Sequence, residues 1–431
     1  MKLATKLAAI AVGSAMMFGA TACGSTSTSG SSGAAASSDV TLDWSFWSQG
    51  DEGNKTWKAL ADQVTEKYPN IKVNLTTAPF ADYFTKLQSQ LAGGTAPCIV
   101  SMQSLRLPAF AKALEPLDGA LAQTAGFKSE EWIPGALKAL QASDKQYALP
   151  YGLSTMVMYY NKDAFKAAGV EEPKSGWTTD EFIAAGKKVS ASMGKPAFGE
   201  SFSDLHMYSQ LLAYNGARPV SDDGALQLTD AKVTDAFGWY SSLATDEKIS
   251  SVPASSSDVA WGEQQFVAGN TAMAVDGTWN IKSNVTDATT FKVGVVALPQ
   301  GPNGGGTYSA NSGFGISKTC KHKDEAAKAI GVLTDAASQA ASANAGNQPA
   351  RLAANDAFIK GLKTDIDPTN PGYSDQVAAV VKASSEKAVP FISTDNWDKV
   401  TKLMGQQFQQ AFTAKTSPAD ALKNVQQSGA K

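Results

Sequence analysis

The sequence predicts an α/β protein built as two lobes. Three observations carry this. The chain has 431 residues, more than one hydrophobic core organises. Period-2 apolar runs and period-3.6 apolar runs alternate along its first third, the pattern of a parallel sheet flanked by helices. Further on, strand-rich stretches are interrupted by Pro and Gly, residues suited to a chain passing from one lobe to the other. Composition agrees with a packed body: 43% of residues are hydrophobic and 18% charged, unlike a disordered chain. Lys and Arg number 37 against 40 Asp and Glu. No basic excess exists to neutralise phosphates, so nucleic acid is excluded as a partner. Two histidines and three cysteines rule out Cys/His zinc clusters and leave carboxylates as the only plentiful metal ligands. No metal and no cofactor are expected.

The first residues read as an address. Lys2 and Lys6 precede an uncharged apolar run from Leu7 to Ala20, shorter than the roughly 20 residues of a spanning helix. It ends Ala20-Thr21-Ala22-Cys23-Gly24, which resembles a bacterial lipoprotein signal: cleavage after residue 22 and a lipid on Cys23. Ordinary secretory cleavage near Ala22 is the alternative. Residues 23–38, rich in Ser, Gly, Thr and Ala, form a flexible tether. The expected product is an exported body held by its lipid at the outer face of the cytoplasmic membrane. With Cys23 lipidated, Cys98 and Cys320 remain. A disulfide between them and two buried thiols both fit the sequence.

The body opens with a strand, Val40 to Phe46, and a polar turn. Trp57, Leu60, Val64 and Tyr68 then give a helix one apolar face, which Pro69-Asn70 ends. Ile71, Val73 and Leu75 alternate as a strand. Phe80, Phe84, Leu87 and Leu91 mark a helix stopped by Gly93-Gly94, and Ile99-Val100 begins a third strand. In such sheets ligands sit at loops beyond the carboxyl ends of strands, which singles out the turn after Phe46 and the segment Met102-Gln103-Ser104. A strand-rich stretch from Tyr147 to Tyr160 is expected to break at Pro150 and Gly152. Thr178 and Glu181 fit a capping box. A helix with Tyr208, Leu211 and Leu212 ends at Asn215-Gly216. Thr271 to Val275 and Phe291 to Leu298 read as strands, and Gly277 to Asn280 as a turn into a helix. Residues 299–306, rich in glycine, lack the ending of a P-loop and read as a flexible crossing. Lys323 to Ala343 reads as one Ala-rich helix, and the part from Asp375 on as helices broken at Pro390 and Pro418.

Several segments carry a resemblance in the same order: Tyr147 to Gly152 with Tyr159 to Phe165; Phe266 to Met273 with Gly277-Thr278-Trp279; Ala297-Leu298-Pro299 followed by Ser312 to Ile316; and Gly346 to Ala350. The chain from Val40 on resembles the extracellular solute-binding proteins of carbohydrate type, maltose-binding-protein-like, that serve ATP-driven importers. The resemblance implies a periplasmic-binding-protein-like fold with interlaced lobes, a hinge and a central ligand cleft. One lobe would comprise 39–150 and 306–365, the other 151–305 and 366–431. It implies a monomer that is not an enzyme, capturing a small oligosaccharide and delivering it to the permease subunits of an ABC importer.

Sugars present flat C–H faces and a rim of hydroxyls, so their sites combine aromatic platforms with polar side chains. Trp279, followed by Asn280, matches the family's stacking tryptophan. Trp47, Gln49 and Asp51 match its first binding loop, with Glu52 where the family has a lysine; Asp51 also suits the N-terminus of the next helix. Met102, Gln103 and Arg106 fall in the loop after the third strand, where Leu105 replaces an acid. Ser154 stands at another acidic position. Asp204 and His206, the patch Asp395, Asn396 and Trp397, and Asn311 and Arg351 complete the candidates. The competing readings are an exported glycoside hydrolase, which would need two carboxylates across a cleft, and a surface adhesin for polysaccharide. No hydrolase, metalloprotease or nucleotide-binding motif is present.

Overall fold

The computed structural model describes residues 38–254, 261–344 and 346–430. The expected leader, Cys23 and the tether up to residue 37 lie outside the described residues. Among the described residues no helix is long and apolar enough to cross a membrane.

The first third alternates as predicted: β1 (Val40–Trp47), α1 (Gly50–Lys67), β2 (Ile71–Ala78), α2 (Phe80–Ala92) and β3 (Ile99–Gln103). β1 pairs in parallel with both β2 and β3. α1 lays Trp57, Leu60, Ala61 and Val64 against this sheet, each buried because the period-3.6 stripe faces one way. Two long strands then change the character of the sheet. β4 (Leu149–Asn161) and a later strand, Thr307–Ser317, run antiparallel to one another. β4 does not break at Pro150 and Gly152. Pairing passes from Gly152↔Ser312 to Pro150↔Gly313, so Tyr151 bulges and absorbs the residue that lacks an N–H.

On the far side of β4 come α3 (Thr179–Met193), started by the expected capping box of Thr178 and Glu181, α4 (Asp204–Asn215), α5 (Trp261–Val267), β5 (Met273–Gly277) and β6 (Val293–Val296). β5 and β6 both pair antiparallel with β4. Numbering Thr307–Ser317 as β7, the main strand order is β2-β1-β3-β7-β4-β5, continued by the short strands Phe198–Gly199 and Ser250–Ser251.

The glycine-rich segment 299–306 is a packed cap rather than a loose crossing. Gly301 and Gly305 donate their N–H groups to the carbonyls of Ala213 and Leu212 at the end of α4 (2.9 and 2.8 Å). A Cβ on Gly301 would lie 2.0 Å from the carbonyl oxygen of Tyr214, so the close approach requires glycine. The expected Ala-rich helix is also split, into α6 (Lys323–Leu333) and a second helix Ala336–Asn344. Thr334 Oγ1 donates to the Ile330 carbonyl, and Asp335 accepts the N–H of Ser338, starting a new helix. At the end come α7 (Trp397–Phe412) and α8 (Pro418–Gly429), the latter opened by Ser417 with proline in its first turn.

Burial separates along the two long strands. A first core gathers Leu42, Trp44, Trp57, Leu87, Ile99, Leu149, Leu153, Phe314, Ile316 and Ile330. A second gathers Met156, Met158, Phe182, Tyr208, Phe237, Tyr308, Ala310, Trp397 and Val425. Each long strand therefore serves the first core with one part and the second core with side chains of its other part. A third cluster, around Val157, Tyr159, Phe266 and Val295, takes Phe358 and Leu362 from the helix Asn355–Asp365. The helix Asn355–Asp365 thus packs with the Tyr159 side of the sheet, while Ala350 just before it belongs to the first core.

Candidate functional site

The place where β4 and β7 pass between cores has a distinctive pattern. Every residue of β4 is buried except Ser154, and every residue of β7 except Ser312. These two serines are the partly exposed positions of otherwise buried strands. Polar groups from other segments meet the neighbouring residues of this stretch.

From the first core, Gln49 leads into α1. Its amide donates to Tyr151 Oη (3.3 Å), and its carbonyl oxygen accepts from Trp57 Nε1 (2.8 Å) and from Asn347 (3.3 Å). Burial pushes the Tyr151 hydroxyl far above its usual range, so it remains a neutral donor and acceptor. The carbonyl of Gln348 accepts the N–H of Leu153 (3.0 Å), while its buried side-chain amide makes no hydrogen bond. Neither Asn347 nor Gln348 is evident as a site residue in the sequence beyond its place in a Pro-containing loop.

From the second core, Trp279 stands half-buried at the end of β5. Its ring lies over Gly277, where a Cβ would meet the indole at 2.1 Å. Thr278 ties this turn to β4: its hydroxyl accepts the N–H of Thr155 (3.1 Å) and donates to the Leu153 carbonyl (3.4 Å). His206, on α4, meets Trp279 edge-on with ring centroids 6.0 Å apart. Asn280 donates to Asp276 (2.9 Å). Burial opposes a charge on His206, but the carboxylates of Glu263 and Asp276 outweigh it and hold the imidazolium up to about 10.

A third group joins the two cores. Arg106, following β3, places Nε 2.9 Å from Asp398 and Nη1 3.7 Å from Asp204. Asp204 accepts the indole N–H of Trp397 (2.7 Å), and Ser393 donates to the Leu105 carbonyl (2.7 Å). Leu105 itself is buried among second-core residues, which explains an apolar residue in that loop. Asn311 is buried and donates to the Gly135 carbonyl, its backbone paired with Ser104.

Other candidates stand apart. Arg351 is pinned inside the first lobe by Glu131, by the Thr334 carbonyl (2.6 Å) and by Trp132, whose ring lies 4.3 Å below its guanidinium. Met102 is fully buried in the first core, and Trp47 packs among Phe80, Tyr83 and Phe84. Gln103 is partly buried at the end of β3, while Asp51 and Asp395 are exposed. Asn396 holds the end of α8 through the Gly429 carbonyl (2.8 Å). Cys98 and Cys320 form a disulfide. A surface groove of about 440 Å³ between Glu172–Trp177 and Glu181–Lys188 shares no residue with these groups.

Comparison with known proteins places this arrangement. A family model described as bacterial extracellular solute-binding protein matches residues 47–340. The lactose-binding protein of Rhizobium radiobacter is 25% identical over 62% of this chain and 64% of its own. Among solved structures, the ABC substrate-binding protein Lmo0181 of Listeria monocytogenes, in complex with cycloalternan, aligns with a TM-score of 0.78 at 24% identity, covering 90% of this chain and 98% of that one. UgpB of Mycobacterium tuberculosis, in complex with glycerophosphocholine, aligns with a TM-score of 0.76 at 20% identity over 90% and 97%. At these identities the structural likeness speaks to the fold: two α/β lobes joined by crossing strands.

Proposed function

Since this chain belongs to the bacterial extracellular solute-binding protein family, whose members bind rather than transform their ligands, we propose that it captures an oligosaccharide between its lobes for an ABC importer. The observation that carries this reading is Trp279. Its half-buried ring stands in a turn that Thr278 fastens to the β4 backbone on either side of Ser154. An indole face of this kind covers the apolar side of a sugar ring. Gln49, Asn347, Gln348 and the two serines supply amides and hydroxyls for the rim. A micromolar site needs only about −8 kcal/mol in total, within reach of one stacked ring and several hydrogen bonds after ordering costs.

We divide the lobes along their cores, with β4 and β7 as the hinge and Arg106 with Asp204 and Asp398 as contacts that join them. Ligand bridging both lobes favours the closed form, which presents one combined surface to the permease. A lipid on Cys23 and the tether after it keep a monomeric body at the membrane surface.

Thermal-shift and calorimetric screening against an oligosaccharide panel tests the reading, because a ligand that binds only the native state raises its melting temperature. A binding glycan whose affinity falls at least tenfold in Trp279→Ala, with no hydrolysis product released, is the expected result. Turnover of the glycan, or full affinity in the variant, refutes it.

A further inference from the structure

Beneath Trp279, three side chains from three elements converge. His206 comes from α4, Glu263 from the first turn of α5, and Asp276 from β5. One ligand atom from each lies within 4.8 Å of the others. His206 Nε2 is 2.5 Å from Glu263 Oε1 and 3.5 Å from Asp276 Oδ1. The His206 and Asp276 side chains are 8% and 2% exposed, and that of Glu263 is 11%. Among the described residues this is the one group of three His, Cys, Asp or Glu side chains so arranged.

Two features distinguish it from an ordinary buried ion pair. Neither imidazole nitrogen makes a hydrogen bond, and Glu263 Oε2 has no partner either. His206 Nε2 approaches both carboxylates, and Glu263 Oε2 is left facing the cluster with no partner of its own. Three ligand atoms from three elements within 4.8 Å of one another can close around a single ion. Asp276, by contrast, is held firmly from outside the cluster. It accepts from the Gly277 N–H (2.7 Å), from Asn280 (2.9 Å) and from Asn284 (2.7 Å). Such outer hydrogen bonds fix the orientation of a ligating carboxylate.

We propose that His206, Glu263 and Asp276 bind a divalent zinc-class cation, a site independent of the oligosaccharide reading. One imidazole nitrogen with two carboxylate oxygens suits Zn²⁺, which takes three protein ligands and keeps a further position for water. Calcium, which collects six to eight oxygens, does not match this set. The ion would brace α4, α5 and β5 against one another under the Trp279 platform. The scarcity of His and Cys excludes clusters built on those residues but leaves room for one histidine joined by carboxylates.

Tag-free protein, stripped with EDTA and dialysed, is titrated with zinc chloride by calorimetry, with bound metal counted by elemental analysis. The expected result is one Zn²⁺ per chain, a raised melting temperature, and X-ray absorption showing a single imidazole among oxygen ligands. Glu263→Gln and His206→Asn should weaken binding at least tenfold, whereas His322→Ala, which removes the surface His322–Glu325 pair, should not. If either cluster variant fails to fold, stoichiometry and the absorption spectrum of the wild-type chain decide. The proposal is overturned by no binding at equimolar zinc, by binding lost in His322→Ala, or by a bound ion without imidazole. Zinc binding with no responding glycan would leave this site standing and count against the sugar reading alone.

Discussion

Replacing both Cys98 and Cys320 by alanine should cost most of the stability that separates this protein from its unfolded state. The two residues flank adjacent strands: Cys98 immediately precedes β3, Cys320 follows β7, and the Ser317 N–H donates to the Cys98 carbonyl (3.0 Å). Their separation is 222 residues, so the bond closes a loop containing the second-core residues from Leu105 to Ala310. Loop-closure entropy for that length corresponds to about 5 kcal/mol at 25 °C. If the second lobe stays folded while the first unfolds, the free loop shrinks to about 70 residues. The figure then falls only to about 4 kcal/mol, because the dependence is logarithmic. Urea unfolding followed by tryptophan fluorescence, for wild type with and without reductant and for the double variant, measures the effect. The expected loss is about 3–5 kcal/mol with native far-UV dichroism unchanged. A loss below about 1 kcal/mol in both the reduced and the substituted protein would refute the argument that the unfolded chain is what the crosslink constrains.

Three further outcomes follow from the geometry. Arg106→Ala removes a link between the lobes whose partners are only partly buried, so it should shift the open–closed balance by about 1 kcal/mol; a larger radius of gyration by X-ray scattering at low salt would show it, and an unchanged radius would contradict it. Gly277→Ala inserts a Cβ where the indole of Trp279 lies, so near-ultraviolet dichroism should change and glycan affinity fall at least tenfold. Glu200 is fully buried, with one oxygen on Ser250 (2.5 Å) and the other unpartnered, and burial raises its carboxyl well above the usual range despite that bond. The folded state therefore holds a proton that the unfolded state releases near pH 4.5, and stability falls as pH rises above that point. Glu200→Gln should be more stable than wild type at pH 7.5 by about 1 kcal/mol or more, with the difference vanishing near pH 4; equal melting temperatures at pH 7.5 would be the contrary result.

The alternating first third is legible in the sequence because its helices and strands each bury one face, and period reveals the face. Trp57, Leu60 and Val64 mark α1 without help from the rest of the chain. The capping box at Thr178 is local in the same sense. What escapes a local reading is set by distant partners. Pro150 signals a break, yet a bulge at Tyr151 against β7 keeps the strand whole. The glycines at 301 and 305 suggest looseness, whereas the end of α4 requires their bare backbone. Trp279 and His206 stand out as candidates by motif, but Glu263 reads as an ordinary helix-surface acid until the fold brings α5 against α4 and β5. Arg351 shows the converse: a match to a ligand loop whose charge is already committed to Glu131 and the Thr334 carbonyl.

The interleaving of the two cores carries a consequence for biogenesis. The first core lacks Phe314, Ile316 and Ile330 until the chain has passed out to the second lobe and come back. The second lacks Trp397, Met404, Phe408 and Val425 until the last helices have been made. A ribosome releasing this polypeptide residue by residue therefore offers no finished lobe to collapse early. Neither hydrophobic core is complete until nearly the whole polypeptide has been made, so stable compact structure comes late in synthesis.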